Sequence, residues 1–161
     1  MTTDMPAGTV EAGLDWFGPA LTPDARAVLA GIGRIECFVQ GAVVFHEGEE
    51  TRDFGIILSG RIGLRVLVPE RGQVTILTCE PDDIINWSAI VPPYRSTSTG
   101  VALEPVVVLM LDGAELRGAL RSDPTLAAVV YPRVLRAVAR RLVATRNQLL
   151  DLFAREEPSL W

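Results

Sequence analysis

The sequence contains no lysine; all fifteen of its basic residues are arginine. Twenty acidic residues outnumber them and leave a formal charge of −5. An autonomous nucleic-acid binder shows a basic surface, so direct nucleic-acid binding is not expected of this chain. The missing lysine reads as a compositional bias of the source. Histidine is nearly absent too, with His46 alone, set in FHEGEE, a stretch that reads as a turn between strands. A metal centre, a cupin-type enzyme or a Ser-His-Asp triad would each rest on that one imidazole, so catalysis is not expected. The two cysteines, Cys37 and Cys79, stand far apart with no CxxC and no His pair nearby. Zinc needs clustered ligands, so both are expected to be small buried apolar residues, and no metal is expected. No hydrophobic run approaches the length of a bilayer span. The opening MTTDMPAGTVEAG lacks the basic region and apolar core of a secretory signal. A soluble, cytoplasmic protein is the reading.

What is present is enough for one domain. The chain has 161 residues, 48% of them hydrophobic, and can bury a proper core. Residues 1–13, with Gly, Pro and Thr, are expected to be flexible. Leu14, Trp16, Phe17 and Leu21 are apolar enough to pack. Thr22, Pro23 and Asp24 supply a hydroxyl cap, a proline at the first helical position and an acid in the first turn. They predict a helix to about Ala30, stopped at Gly31 and Gly33. From Arg34 to Leu111 the pattern changes to short strands parted by glycine turns. Ile62, Leu64, Val66 and Val68 alternate, a hairpin turn follows at Pro69–Gly72, and Val74, Ile76 and Thr78 resume the alternation. Val101–Leu111 reads as one long apolar strand. Many short strands with glycine at the bends indicate a sandwich, barrel or β-roll. Asp112 with Glu115 forms a capping-box pattern for a short helix to about Arg121. Ser122, Asp123 and Pro124 then open a long helix to about Phe153, with a kink or a break expected at Pro132.

The chemistry is concentrated between Asp82 and Gly100, which reads DDIINWSAIVPPYRSTSTG. Arg95 is the only charge between Asp83 and Glu104, and Ser96, Thr97, Ser98 and Thr99 follow it. A guanidinium offers a rigid fork of donors and each hydroxyl adds one more, a set that suits an anion. Asn86, Trp87, Ser88 and Ala89 can form a single helical turn whose free N–H groups point at the same anion.

In the long helix, Ala128, Tyr131, Leu135, Val138, Leu142, Thr145, Leu149 and Leu152 recur at alternating intervals of three and four. That is an a/d seam. Ala139, Val143, Leu150 and Phe153, with Arg146 among them, widen it. One face can cover the β domain while the other meets a second copy, so a homodimer through this helix is expected.

This order of elements resembles the cyclic nucleotide-binding domain of the catabolite activator and fumarate–nitrate regulator superfamily (Crp/Fnr). The residues that carry the resemblance are Gly41 with Phe45-His46-Glu47-Gly48, then Phe54 to Ile62, Pro81-Asp82-Asp83, Ala89, Arg95-Ser96, and Ala139 to Leu142 leading to Thr145. It covers about Leu14 to Phe153. The fold it implies is mainly β with flanking helices: a double-stranded β-helix, or jelly-roll-like β-roll, with an N-terminal helix, a short helix and a long C-terminal dimerisation helix. The domain then spans 14–153, with 154–161 as a tail.

The resemblance also implies a site. Arg95 and Ser96 match the pair that holds a cyclic phosphate, and Thr145 falls where the dimer helix offers a polar group to the base, with Arg146 beside it. Ile85, Asn86, Trp87, Ser88, Arg95, Ser96, Thr97, Thr145 and Arg146 make up the implied ligand-binding set. A cyclic nucleotide, cAMP or cGMP, is the implied ligand. The chain departs from the pattern at Asp82 and Asn86, where glycines are expected, at Thr97, where alanine is usual, and at Trp87, where a glutamate takes the ribose 2′-hydroxyl. Indole is a donor only and cannot accept that hydroxyl. The eight residues after Phe153 are too few for a helix-turn-helix, so direct DNA regulation is not expected. Two functions compete. One is a stand-alone sensor binding a small anion at Arg95 and signalling through the dimer helix to a protein partner. The other is a ligand-free interaction module whose tail, ending in Leu160-Trp161, anchors a partner.

Overall fold

The computed structural model describes residues 9–155. Thr9 caps α1 (Val10–Leu14), its Oγ1 accepting from the Ala12 N–H at 3.1 Å. Residues 10–13 of the segment expected to be flexible fall within α1, where Gly13 is buried against Leu109. Residues 1–8 lie outside the described residues. A 3₁₀ turn, Asp15–Phe17, leads to α2 (Pro23–Ile32), capped as expected by Thr22 Oγ1 on the Ala25 N–H. The helix runs through Gly31, which lies at the surface, and gives way to strand at Gly33.

Eight strands follow: β1 (Gly33–Phe38), β2 (Val43–Phe45), β3 (Asp53–Ser59), β4 (Ile62–Val68), β5 (Gly72–Cys79), β6 (Ile84–Ile85), β7 (Thr99–Ala102) and β8 (Val106–Asp112). All pairings are antiparallel and nested: β4 with β5, β3 with β6, β2 with β7, β1 with β8. Two four-stranded sheets result, ordered β1-β8-β3-β6 and β2-β7-β4-β5. A folded-back chain whose halves pair in this nested way is a jelly-roll-like β-roll. The long strand expected over Val101–Leu111 is two strands in different sheets. Pro105 cannot donate to a ladder, and the Leu103 N–H turns instead to the Arg61 carbonyl. The turn between β3 and β4 needs Gly60, whose φ is 81° and whose missing Cβ would lie 2.3 Å from the Pro105 carbonyl oxygen.

The strands build two cores. On β8, Leu109 and Leu111 face the helices while Val106, Val108 and Met110 face the inside of the roll; on β3, Phe54 and Ile56 face the helices and Ile57 the inside. β6 divides in the same way, Ile84 outward and Ile85 inward. Each fully buried side chain of this size contributes roughly 1.5–3 kcal/mol. Cys79 joins the inner core as expected, whereas Cys37, near the end of β1, is exposed rather than buried.

Asp112 caps α3 (Gly113–Ser122), its Oδ1 accepting from the Glu115 N–H at 2.8 Å, and Asp123 Oδ1 receives the Thr125 and Leu126 N–H groups at the start of α4 (Pro124–Arg155). Pro132 neither ends nor divides this helix. Ala128, whose carbonyl loses its amide partner at Pro132, is exposed, so solvent can satisfy it. Leu126, Val129, Val130 and Val134 bury one face of α4 on the roll. Of the expected seam, Tyr131, Leu135, Leu142 and Leu149 are exposed, as are Val143, Leu150 and Phe153. The side chain of Leu152 and residues 156–161 lie outside the described residues. Among the described residues no helix is long and apolar enough to cross a membrane.

Candidate functional site

The stretch 82–100 leaves the sheet at Asn86, which adopts left-handed backbone with φ 56°. Asparagine tolerates that region better than most residues. The reversal starts a 3₁₀ turn, Trp87–Ala89, the single turn expected there. A loop through Pro92 and Pro93 returns the chain to β7.

Side-chain and backbone contacts together fix this loop. The buried hydroxyl of Thr51 lies 2.9 Å from Ser88 Oγ and 3.1 Å from Ser96 Oγ. Arg117 of α3 donates from Nη1 to the Ala89 carbonyl at 2.6 Å and stacks over Tyr94, 4.3 Å from the ring centroid. The backbone knits to the β2–β3 turn through Ser96 N–H to Glu49 O and Gly48 N–H to Ser96 O. Arg95 Nη1 donates to the Gly48 carbonyl at 2.8 Å.

The nine residues of the implied set do not converge. Trp87, Thr97 and Thr145 line a cavity of about 320 Å³ between the roll and α4. Its other walls are Val66, Ile76, Ser98, Val138, Arg141 and Leu142. Asn86 and Ser96 line a different cavity, of about 400 Å³, beside the β2–β3 turn with Glu36, Glu49, Glu50 and Asp53. Ser96 and Thr97, adjacent in sequence, thus line different cavities. Ile85 is wholly buried in the roll, and Ser88 is engaged by Thr51. Arg95 and Arg146 are exposed and line neither cavity.

The two cavities differ in charge. Beside the turn, Arg34 bridges Glu36 and Asp53 at 2.6 and 2.8 Å, and the Asp53 carboxylate first, then Glu36, hold its pKa up. The cavity against α4 has no carboxylate among its lining residues, and its one cation is Arg141. Arg141 Nη2 donates to the Ile84 carbonyl at 3.1 Å, and the guanidinium carbon stands 5.8 Å from the Trp87 ring centroid. Burial lowers its pKa, an effect opposed by Cys79 and Asp83. Asp83 is itself paired with Arg140. Thr145 Oγ1 donates to the Arg141 carbonyl at 2.9 Å, so its lone pairs stay free to accept. The indole N–H of Trp87 and Oδ1 of Asn86 are buried with no hydrogen-bond partner among the described residues.

Arg141, Arg117, Thr51 and Ser98 were not in the implied set. Arg141 was legible: it lies four residues before Thr145, which puts both on one helix face. Nothing in the sequence marks Thr51, which lies in an unpatterned turn, or ties Arg117 to Ala89.

A model of the cyclic nucleotide-binding domain family matches residues 35–123. A CRP-like cAMP-activated global transcriptional regulator of Mycobacterium tuberculosis is 29% identical over 136 residues, covering 84% of this chain and 59% of that protein. The Pycsar effector protein PaPycTIR of Pseudomonas aeruginosa is 28% identical over 132 residues, covering 80% of this chain and 38% of that one. The chain thus spans less than two thirds of the length of these curated relatives. A crystal structure described as a cyclic nucleotide-binding protein of Geobacter metallireducens superposes with a TM-score of 0.67 at 28% identity, covering 78% of this chain and 91% of that one. A cyclic nucleotide-binding domain from Methylobacillus flagellatus superposes with a TM-score of 0.75 at 16% identity over 96% of this chain and 90% of that one, a likeness of fold alone.

Proposed function

The chain belongs to the cyclic nucleotide-binding domain family, and we propose that it is a regulatory sensor domain. Its ligand is a small anion of the cyclic nucleotide class, held in the cavity between the roll and α4. The observation that carries this reading is the cavity's lining, which joins Trp87, Thr97 and Ser98 of the loop to Val138, Leu142 and Thr145 of α4. A ligand there touches both elements, so occupancy biases how α4 lies on the roll. Apolar Val66, Ile76 and the indole of Trp87 suit a planar base, and Thr145 presents an acceptor to it. The name of the mycobacterial relative, cAMP-activated, supports the ligand class.

The output runs through the outer face of α4. Leu135, Leu142 and Phe153 are 68%, 71% and 63% exposed, an apolar stripe that a second copy would cover. The reading is a cytoplasmic homodimer that signals to a protein partner.

A thermal-shift titration with cAMP, cGMP and cyclic dinucleotides tests it. At least one of them is expected to raise the melting temperature by several degrees. Stabilisation by none of them overturns the reading and favours a second one, a ligand-free dimerisation or interaction module. The observation behind that alternative is Trp87, which stands in the cavity wall where a ribose-binding acceptor would serve a nucleotide.

A further inference from the structure

We propose that the cavity beside the β2–β3 turn binds an organic cation, an ammonium or guanidinium group carried on an aliphatic stem. The site is separate from the sensor cavity, since this cavity and the one against α4 share no lining residue.

The charges of the cavity are unbalanced. Glu36, Glu49, Glu50 and Asp53 line it, with Arg52 as the one lining cation. Arg34, outside the lining, pairs with Glu36 and Asp53 and so answers two of the four carboxylates. Glu49 and Glu50 are exposed and form no ion pair among the described residues.

An acidic rim alone would say little, since water solvates exposed carboxylates. The second observation lies deeper. Asn86 lines the same cavity, is only 9% exposed, and its Oδ1 is buried without a hydrogen-bond partner among the described residues. An unpaired buried acceptor costs stability that an arriving donor would restore. Thr51 and Ser96, also buried in this lining, hydrogen-bond each other, so neither supplies that donor. A missing donor together with unanswered carboxylates calls for a donor that is positively charged. Ammonium and guanidinium groups are donors only, and both carry that charge.

The rest of the lining suits a stem. Val44, Phe45 and Met110 are apolar, and an aromatic ring also attracts a cation. The volume, about 400 Å³, has room for one such chain. Among the described residues no group of His, Cys, Asp and Glu is arranged to hold a metal ion, which points to an organic cation. It arrives either as a free amine or as the basic side chain of a protein partner.

The test is a ¹⁵N correlation spectrum of the full chain, titrated with agmatine, spermidine and the blocked peptide acetyl-Gly-Arg-Gly-amide. Sodium chloride of equal ionic strength is the control. Wild type should bind at least one probe saturably in the millimolar range, shifting the Asn86 side-chain amide and the Glu49 and Glu50 backbone amides. Saturation by the peptide identifies a partner's side chain, and saturation by the amines alone identifies a free amine. The double variant Glu49→Gln, Glu50→Gln alters exposed groups, so it should fold as wild type and bind about tenfold more weakly. Asn86→Asp should melt lower than wild type without ligand, yet bind the cation more tightly; a merely structural Asn86 would show only the first effect. If no probe saturates, or if sodium chloride gives the same shifts, the proposal falls. It falls equally if the double variant binds like wild type or if Asn86→Asp binds no more tightly. None of these outcomes touches the cyclic nucleotide titration, which reads the other cavity.

Discussion

Thr51 Oγ1 lies 2.9 Å from Ser88 Oγ, and both side chains are buried at the point where the β2–β3 turn meets the loop after β6. The same hydroxyl reaches Ser96 at 3.1 Å, so one side chain ties together two ends of the loop that the sequence holds eight residues apart. Thr51→Val keeps the shape and removes the oxygen, leaving two buried serines short of a partner. The expected loss is about 1–3 kcal/mol. Differential scanning calorimetry should show the melting temperature fall by roughly 2–4 °C for each kcal/mol. Thr51→Ser should restore most of it. A Thr51→Val variant that melts like wild type would show that this hydroxyl does not organise the loop.

The cavity against α4 has no carboxylate to accept a ribose 2′-hydroxyl. Comparing cAMP with 2′-deoxy-cAMP by calorimetry should therefore give affinities within about fivefold, less than the tenfold that 1.4 kcal/mol would produce. A preference of a hundredfold for the ribonucleotide would require an acceptor that this lining lacks.

Leu109 and Leu142 offer a contrast between core and surface. Leu109 is fully buried between the roll and the helices, and Leu109→Ala should cost about 2–5 kcal/mol, read by urea denaturation. Leu142 is 71% exposed, so in the single chain its replacement should change little. In a homodimer through α4, Leu142→Glu would bury charge. Sedimentation is expected to show a dimer for wild type and a monomer for Leu142→Glu, with the circular dichroism unchanged. Wild type sedimenting as a monomer at all concentrations would remove the dimer from the proposal.

Burial pushes the Cys79 thiol pKa up, against the opposing pull of Arg141. In the unfolded chain the thiol titrates near 8.5. Below that value both states hold the proton and no stability is lost. Above it the unfolded chain gives up its proton first, so stability falls as pH rises from about 8.5 toward the folded value. Cys79→Ala should remove this part of the alkaline loss. Denaturation midpoints at pH 8 and pH 10 for the two proteins measure it; parallel slopes would show that Cys79 contributes nothing.

Local chemistry in the sequence was enough to place most elements. Thr22, Asp112 and Asp123 each carry the capping oxygen that starts their helix, and the hairpin at Pro69–Gly72 and the alternation on both sides of it give β4 and β5 directly. These signals are read within a few residues of where they act. Two elements misled for the same reason in reverse. Val101–Leu111 is apolar on either side of Glu104-Pro105, because β7 and β8 are each buried on both faces, and only that pair marks the crossing between sheets. Pro132 suggested a break in α4, yet the helix continues, since the hydrogen bond it forgoes lies on the solvent side.

The site was less legible than the fold. The sequence by itself determined that a short turn with Trp87, a lone Arg95 and a run of hydroxyls would sit after β6, and that a long helix carrying Thr145 would follow. Only the tertiary structure decided which of those groups share a cavity. Sequence spacing does not fix which side of the loop Ser96 and Thr97 face, nor that Arg141, some fifty residues after Trp87 in the chain, lies against its ring. Those relations follow from nested strand pairings and from how α4 packs on the roll, contacts between residues far apart in the chain that no local pattern encodes.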